Sequence, residues 1–362
     1  MGLDLTADVV TLTAAICDME SVSGEEDALA DAVETALTAL PHLDVIRDGN
    51  TVIARTDLGR DERVLLAGHL DTVPLTDPPN LPTRRQPGPE GEELWGRGTV
   101  DMKGGVAVQL RLAHLLPEPT RDLTFVFYDC EEVEAERNSL TRLTATRPDL
   151  FLGDFAVLLE PTKALVEGGC KGTLRVEVRT SGVAAHSGRP WMGENAIHAA
   201  APILARLADY EPREVEVDGL TYREGMSAVA ITGGIATNVV PDRCVVTVNY
   251  RFAPDIDVEA AIAHVRDLFE GFDLEVVDSA GGARPGLDRP AAAAFVEAIG
   301  GEVTGKQGWT DVARFSGLGV PAVNFGPGDP LLAHKDDERC PVSQLREAEE
   351  ALLRWLSPAP TP

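Results

Sequence analysis

The sequence predicts an α/β fold: a layered domain on a mostly parallel sheet, with a smaller α+β domain inserted into it. Three observations carry this. Helix-like and strand-like segments alternate through residues 1–172, as they do in βαβ units. Residues 173–287 change to the order β-α-β-β-α-β, the ferredoxin-like split unit. Residues 288–362 return to the first style, so the middle reads as an insertion and the flanks as two parts of one catalytic domain.

"MGLDLTADVVTLTAAICDME" has the apolar spacing of an amphipathic helix and lacks the Lys or Arg that begins a signal peptide. Residues 25–40 are helical in period after the cap signal of Ser23 and Gly24. "RVLLAGHLDTVP" (63–74) is a short apolar strand ending in polar residues. Residues 75–94 are Pro-rich and predict a loop. "GRGTVDMKGGVAVQLRLAHLL" (96–116) is a Gly-rich loop opening into a helix, and residues 123–128 and 155–162 are strands on either side of a helical stretch. In the middle, 172–182 alternates as a half-exposed strand does. Residues 194–210 predict one helix, "MSAVAITGG" and "RCVVTVNYRF" two strands, 257–272 a helix and 273–277 a strand. The tail predicts a helix near 290–300, a strand at 320–326 and a closing helix near 342–356.

Composition excludes some functions. The formal net charge is −27, which argues against nucleic-acid binding and against docking on anionic membranes. No apolar run reaches the length of a membrane span. The five Cys are scattered without paired spacing, which fits a reducing cytoplasm better than a disulfide framework. With 59 acidic side chains, a cluster such as "YDCEEVEAE" (128–136) is by itself only an expected solvated face.

The polar residues at the ends of the apolar runs are more informative, because ligands of open α/β sheets bind beyond the carboxyl ends of the strands. His69 and Asp71 end one run, Glu131 and Glu132 another, and Glu160 a third. A loop after Phe325 leads to His334, and Asp101 lies in the Gly-rich loop. Each alone has an ordinary explanation: a hydrogen-bonded His, a turn Asp, a helix cap, a solvated strand end, a surface loop. Together they place metal-capable side chains at five strand ends or βα loops in a chain with seven His. At i and i+2 of an extended segment His69 and Asp71 share a side, so Asp71 can orient the imidazole while its other nitrogen binds metal. Two His with several carboxylates and no paired Cys suit a catalytic centre of one or two ions, zinc first, with cobalt or manganese as substitutes.

The motifs "GHLDTVP" (68–74), "GRGTVDMKGG" (96–105), "CEE" (130–132), "EPT" (160–162), "AAHSGRP" (184–190), "NVVPD" (238–242) and "AHKDDE" (333–338) resemble those of the co-catalytic zinc aminoacyl-amide hydrolases, such as carboxypeptidase G, acetylornithine deacetylase and aminoacylase. They span nearly the whole chain in that family's order. The resemblance implies a zinc-aminopeptidase-like three-layer catalytic domain, an inserted lid and dimerisation domain, a homodimer, and two zinc ions per subunit. It implies that His69 and Glu160 bind one ion, that Glu132 and His334 bind the other, and that Asp101 bridges. Asp71 then orients His69, and Glu131 is the general base and acid at the amide. In the inserted domain, His186 matches a residue that reaches the partner's site to help hold an oxyanion. Asn238 and Arg251 match substrate contacts, and Lys171 is a further cation for an anionic substrate. Read without the resemblance, these are a turn His, a loop Asn and an exposed strand Arg.

Further segments, "EGGCKGTLRV", "DGLTYREGMSAV", "GWTDVARFSGLGVPAVNFGPGDP" and "AHKDDERCPV", sharpen the resemblance toward the family's N-succinyl-LL-2,6-diaminopimelate hydrolases. The alternatives are another N-acyl amino acid hydrolase, such as acetylornithine deacetylase, or a metallo-dipeptidase. Outside enzymes, the alternative is a binding protein that keeps the fold, against which stands the full ligand set with Glu131. Trp309 departs from the small residues common at its position, so that it either narrows the pocket or packs its loop.

Overall fold

A computed structural model describes residues 2–89 and 91–358. Two compact units divide the chain: residues up to Gly168, Pro285–Thr304 and those from Arg314 on form the larger, and Gly169–Arg284 with Gly305–Ala313 the smaller.

The larger unit is built on an eight-stranded sheet. Its spatial order is Asp44–Asp48, Thr51–Arg55, Asp122–Tyr128, Arg63–His69, Phe155–Leu158, Ala322–Asn324, Val166–Gly168 and Val303–Gly305. The four central strands run parallel, from Asp122–Tyr128 to Ala322–Asn324. Parallel strands are covered on both faces, and so read as unbroken apolar runs. Every residue of Asp122–Tyr128 is accordingly buried. Three helices supply much of the cover. Val9–Cys17 starts at Asp8, whose carboxylate accepts the Val10 and Thr11 amides, and it buries Val9, Leu12 and Ile16. Val342–Leu356 buries Leu345, Ala348, Leu352 and Trp355, the spacing of one helical face.

The third helix, Lys103–Leu115, explains the paired glycines of the "DMKGG" motif. A Cβ on Gly105 would collide with the Leu159 carbonyl, and one on Gly104 would lie 2.5 Å from the Thr99 carbonyl. The helix therefore touches the backbone just before Glu160 and the loop just before Asp101. We expect Gly105→Ala to cost about 1–3 kcal/mol, as overpacking does. Denaturant unfolding reads this directly, and unchanged stability would show that the close approach is not needed.

The Pro-rich segment departs from the loop expected over 75–94. Arg84–Gly88 and Gly91–Trp95 form an antiparallel hairpin, which Arg339–Pro341 extends to three strands. Pro87 is tolerated because its strand is the outer edge, where no ladder partner needs its missing N–H.

The smaller unit carries a four-stranded antiparallel sheet in the order Gly225–Gly233, Arg243–Phe252, Gly172–Ser181, Asp273–Ala280. One face packs on its own core of Val176, Val178, Ile203, Val246, Val248, Ala261, Val265 and Phe269. Burial alternates along Arg243–Phe252 and Asp273–Ala280, the signature of a sheet with one covered face. Two details differ from expectation. The predicted helix over 194–210 is two pieces, Ala196–Ala199 and Ala201–Ala208, with Pro202 in the first turn of the second. A hairpin also joins Glu214–Val217 to Leu220–Arg223.

Candidate metal centre

The parallel register brings three sequence-distant residues to one end of the sheet. His69 ends its strand opposite Tyr128, and Ala67 lies opposite Leu158. His69, Glu131 and Glu160 therefore all leave the sheet on the same side, within three residues of those pairings. His69 and Glu160 are buried, while Glu131 and Glu132 are partly exposed.

Asp101 lies between two imidazoles. Its Oδ1 is 3.3 Å from His69 Nε2, and its Oδ2 is 3.2 Å from His334 Nε2. His334 Nε2 also lies 3.0 Å from the Glu132 carboxylate. One donor atom each from His69, Asp101 and Glu132 fits within 4.8 Å. On its other side, His69 Nδ1 is 3.0 Å from the Asp71 carbonyl and 3.4 Å from its carboxylate. A proton on Nδ1 shared between these acceptors leaves Nε2 as an electron-pair donor aimed at Asp101.

The electrostatics ask for positive charge here. Burial works against a charged His69, yet the hydrogen bonds to Asp101 and Asp71 outweigh it and lift its pKa well above the usual range. Hydrogen bonds to Asp101 first, and then to Glu132, push His334 up to about 10. Burial raises Asp101, but the His334 and His69 imidazoles outweigh that and hold it below the usual carboxylate range. Protons on the imidazoles can meet that demand, and so can divalent cations. Two imidazoles, a carboxylate facing both and a second carboxylate beside one of them make a donor set that fits two such ions.

Asp71 has a second task that its spacing from His69 did not reveal. Its Oδ1 accepts the Glu131 amide and its Oδ2 the Glu132 amide, each at 3.0 Å, and Ser23 Oγ donates to Oδ2 at 2.7 Å. One buried carboxylate thus contacts both the His69 ring and the turn that carries Glu131 and Glu132.

The Asp101 and His334 loops are joined in the same way. Glu338, fully buried, accepts the Val100 and Asp101 amides at 2.9 and 3.1 Å. Arg97 donates to Glu338 at 2.7 Å and to the Lys335 carbonyl at 3.3 Å. Both residues lie inside the "GRGTVDMKGG" and "AHKDDE" motifs, yet nothing in residue type alone marks them as supports. The rest of the acidic run is ordinary. Asp129 accepts from Thr51 Oγ1 at 2.9 Å, while Glu134 and Glu136 are exposed.

The remaining candidates fall in the smaller unit. His186 lies in a two-residue strand opposite Val239, and the Ser187 amide donates to the Asn238 carbonyl, so His186 and Asn238 share one exposed ribbon. Lys171 and Arg251 form a second group. Burial lowers the pKa of each, and a neighbouring cation lowers it further, Arg251 for Lys171 and Arg175 for Arg251. Lys171 Nζ donates to the Arg223 carbonyl at 2.6 Å, and Arg251 Nε to Asn249 at 3.1 Å. Trp309 is partly buried and its indole N–H donates to the Gly281 carbonyl at 3.1 Å.

This fold and this donor set define a family. Residues 65–357 match the model of "Peptidase family M20/M25/M40", and the chain belongs to that family of metal-dependent hydrolases. Within it, the chain is 45% identical over 367 residues to succinyl-diaminopimelate desuccinylase of Corynebacterium glutamicum, covering 98% of each. It is 54% identical over 357 residues to a Mycobacterium tuberculosis (strain H37Rv) protein whose assignment as succinyl-diaminopimelate desuccinylase DapE is itself provisional, covering 98% of this chain and 99% of that one. Among solved structures, a tripeptidase from Staphylococcus aureus shares the fold, with a TM-score of 0.78 at 20% identity and 98% coverage of both chains.

Proposed function

We propose that the protein hydrolyses the amide of N-succinyl-LL-2,6-diaminopimelate to succinate and LL-2,6-diaminopimelate, a step of lysine and diaminopimelate synthesis. The observation that carries the substrate is the 45% identity, over 98% of both chains, to the Corynebacterium glutamicum enzyme of that name. The chemistry is carried by the Asp101 carboxylate, with one oxygen toward His69 and the other toward His334.

His69 and Glu160 would hold one zinc ion, Glu132 and His334 a second, with Asp101 shared between them; cobalt or manganese suits the same donors. Bound there, the two ions would polarise the amide carbonyl and make a water acidic near neutral pH. Glu131 does the proton work: its carboxylate takes the proton from the attacking water and delivers it to the leaving amine. Asp71 fixes the backbone of that carboxylate through the Glu131 amide. His186 would help hold the oxyanion, and Asn238, Arg251 and Lys171 would contact the substrate.

The substrate carries several carboxylates and the protein a formal charge of −27, so its overall field opposes binding. Local cations must overcome this, and a guanidinium suits a carboxylate best. Arg251→Ala should therefore raise KM at least about tenfold with metal content intact. A near-normal KM would remove Arg251 from the substrate site.

A homodimer through the smaller unit fits its open edge. Gly225–Gly233 pairs on one side only among the described residues, and Val229 and Ile231 on it are 59% and 50% exposed. Sedimentation of the pure protein as a monomer at micromolar concentration would exclude this. Among the described residues no helix is long and apolar enough to cross a membrane, and five buried free Cys suit the cytoplasm.

The reaction is tested by incubating the zinc-reconstituted protein with N-succinyl-LL-2,6-diaminopimelate and measuring succinate. Release that stops on chelation and returns with zinc supports the proposal. Stoichiometric zinc without any release contradicts it.

A further inference from the structure

The turn that carries Glu131 and Glu132 is held by a row of amides. Three successive N–H groups each end on a carboxylate: Cys130 on Glu26 Oε1 at 3.2 Å, Glu131 on Asp71 Oδ1 at 3.0 Å and Glu132 on Asp71 Oδ2 at 3.0 Å. Successive backbone N–H groups pointing one way form an anion-binding concavity. Here the anions are two of the protein's own side chains. Asp71 is accounted for by the metal centre; Glu26 is not.

Glu26 is an unusual residue to bury. It is 0% exposed, and its Oε2 has no hydrogen-bond partner. It stands at the start of helix Asp27–Thr38 without capping it. Its Oε1 instead accepts the Gly24 amide at 2.8 Å and the Cys130 amide. Cys130 needs that support, because its φ of 58° is a left-handed conformation that costs a non-glycine residue about 1–2 kcal/mol. Such a conformation persists only where its surroundings enforce it.

The segment before Glu26 is tied to the same place. Ser21 Oγ donates to the Leu70 carbonyl at 2.7 Å and Ser23 Oγ to Asp71 at 2.7 Å. The Thr72 amide donates to the Ser21 carbonyl and the Ser23 amide to that of Thr72. The stretch 21–26 thus presents Glu26 and steadies Asp71, the two carboxylates that hold the turn.

We propose that Glu26 is a positioning residue for catalysis: by holding the left-handed Cys130 it sets where the Glu131 carboxylate stands. This rests on the assignment of proton transfer to Glu131. Oε1 serves as the acceptor of the Gly24 and Cys130 amides, so a glutamine, which keeps an accepting oxygen on a side chain of the same length, should meet the same need.

The test compares wild type, Glu26→Gln and Glu26→Ala as zinc-loaded full-length proteins. Glu26→Gln retains the acceptor and is expected to keep kcat within about threefold. Glu26→Ala is expected to lose kcat at least about tenfold, the scale of supporting contacts, with KM and zinc content unchanged. Amide hydrogen exchange across Cys130–Glu132 should quicken in Glu26→Ala and not in Glu26→Gln. A folded Glu26→Ala with wild-type kcat, or with unchanged exchange at these amides, overturns the proposal. So does a Glu26→Gln variant as impaired as Glu26→Ala. If Glu26→Ala does not fold, Glu26→Asp withdraws the carboxylate by one methylene, and wild-type kcat there is equally fatal. Should wild type itself leave the succinyl substrate untouched, the substrate assignment fails, while the exchange measurement still decides whether Glu26 holds the turn.

Discussion

Glu131→Gln is expected to lower kcat by about 10²–10⁴-fold, the range of general acid–base catalysis, with zinc content unchanged. The substitution keeps size and shape but removes the ability to accept a proton at neutral pH. It leaves the support of the turn alone, since Asp71 takes the backbone amide of residue 131 and not its side chain. Metal should stay, because the proposed ligands are His69, Asp101, Glu132, Glu160 and His334, none of which is changed. KM should change little, because the lost interaction belongs to the transition state. Turnover retained within tenfold would mean that another group carries the proton. Loss of zinc would mean that Glu131 is a ligand.

Asp101→Ala is expected to fail differently. One carboxylate faces both imidazoles, so its removal should weaken binding of both ions. Outer-shell partners already cost about 10–100-fold in metal affinity, so we expect a loss of at least about 10² here, with activity falling in parallel. The two imidazoles would also lose the partner that favours their charge, His334 its first cause for a pKa of about 10. Zinc titration of the chelated protein reads the affinities. Two ions bound with wild-type affinity would show that Asp101 is not shared between them.

Much of this site is legible in the sequence because parallel sheets gather chemistry at their carboxyl ends. His69, Glu131, Glu132 and Glu160 each stand at the end of an apolar run, and the fold needs only its strand order to bring them to one side. Side chains that act through the backbone are harder to see. Glu338 accepts amides 237 and 238 residues away, and Glu26 one 104 residues away. No periodicity or spacing encodes such pairs. The pairing of Arg84–Gly88 with Gly91–Trp95 is masked by proline on an edge strand, whereas the hairpin at 214–223 has a plain signal. Asp218–Gly219 lies between two alternating runs, and both residues take positive φ, as a tight turn requires. The helix over 194–210 reads as one because apolar spacing continues across Ala200, and Pro202 is what divides it.

Which amide the protein cuts decides its function most directly. Initial rates of the zinc-loaded protein should be measured in parallel on N-succinyl-LL-2,6-diaminopimelate and N-acetylornithine. A site built to pair the extra carboxylates rejects a substrate lacking them strongly, so kcat/KM for the succinyl substrate should be higher by about 10² or more. Equal or greater kcat/KM on the acetyl substrate would contradict the proposed function.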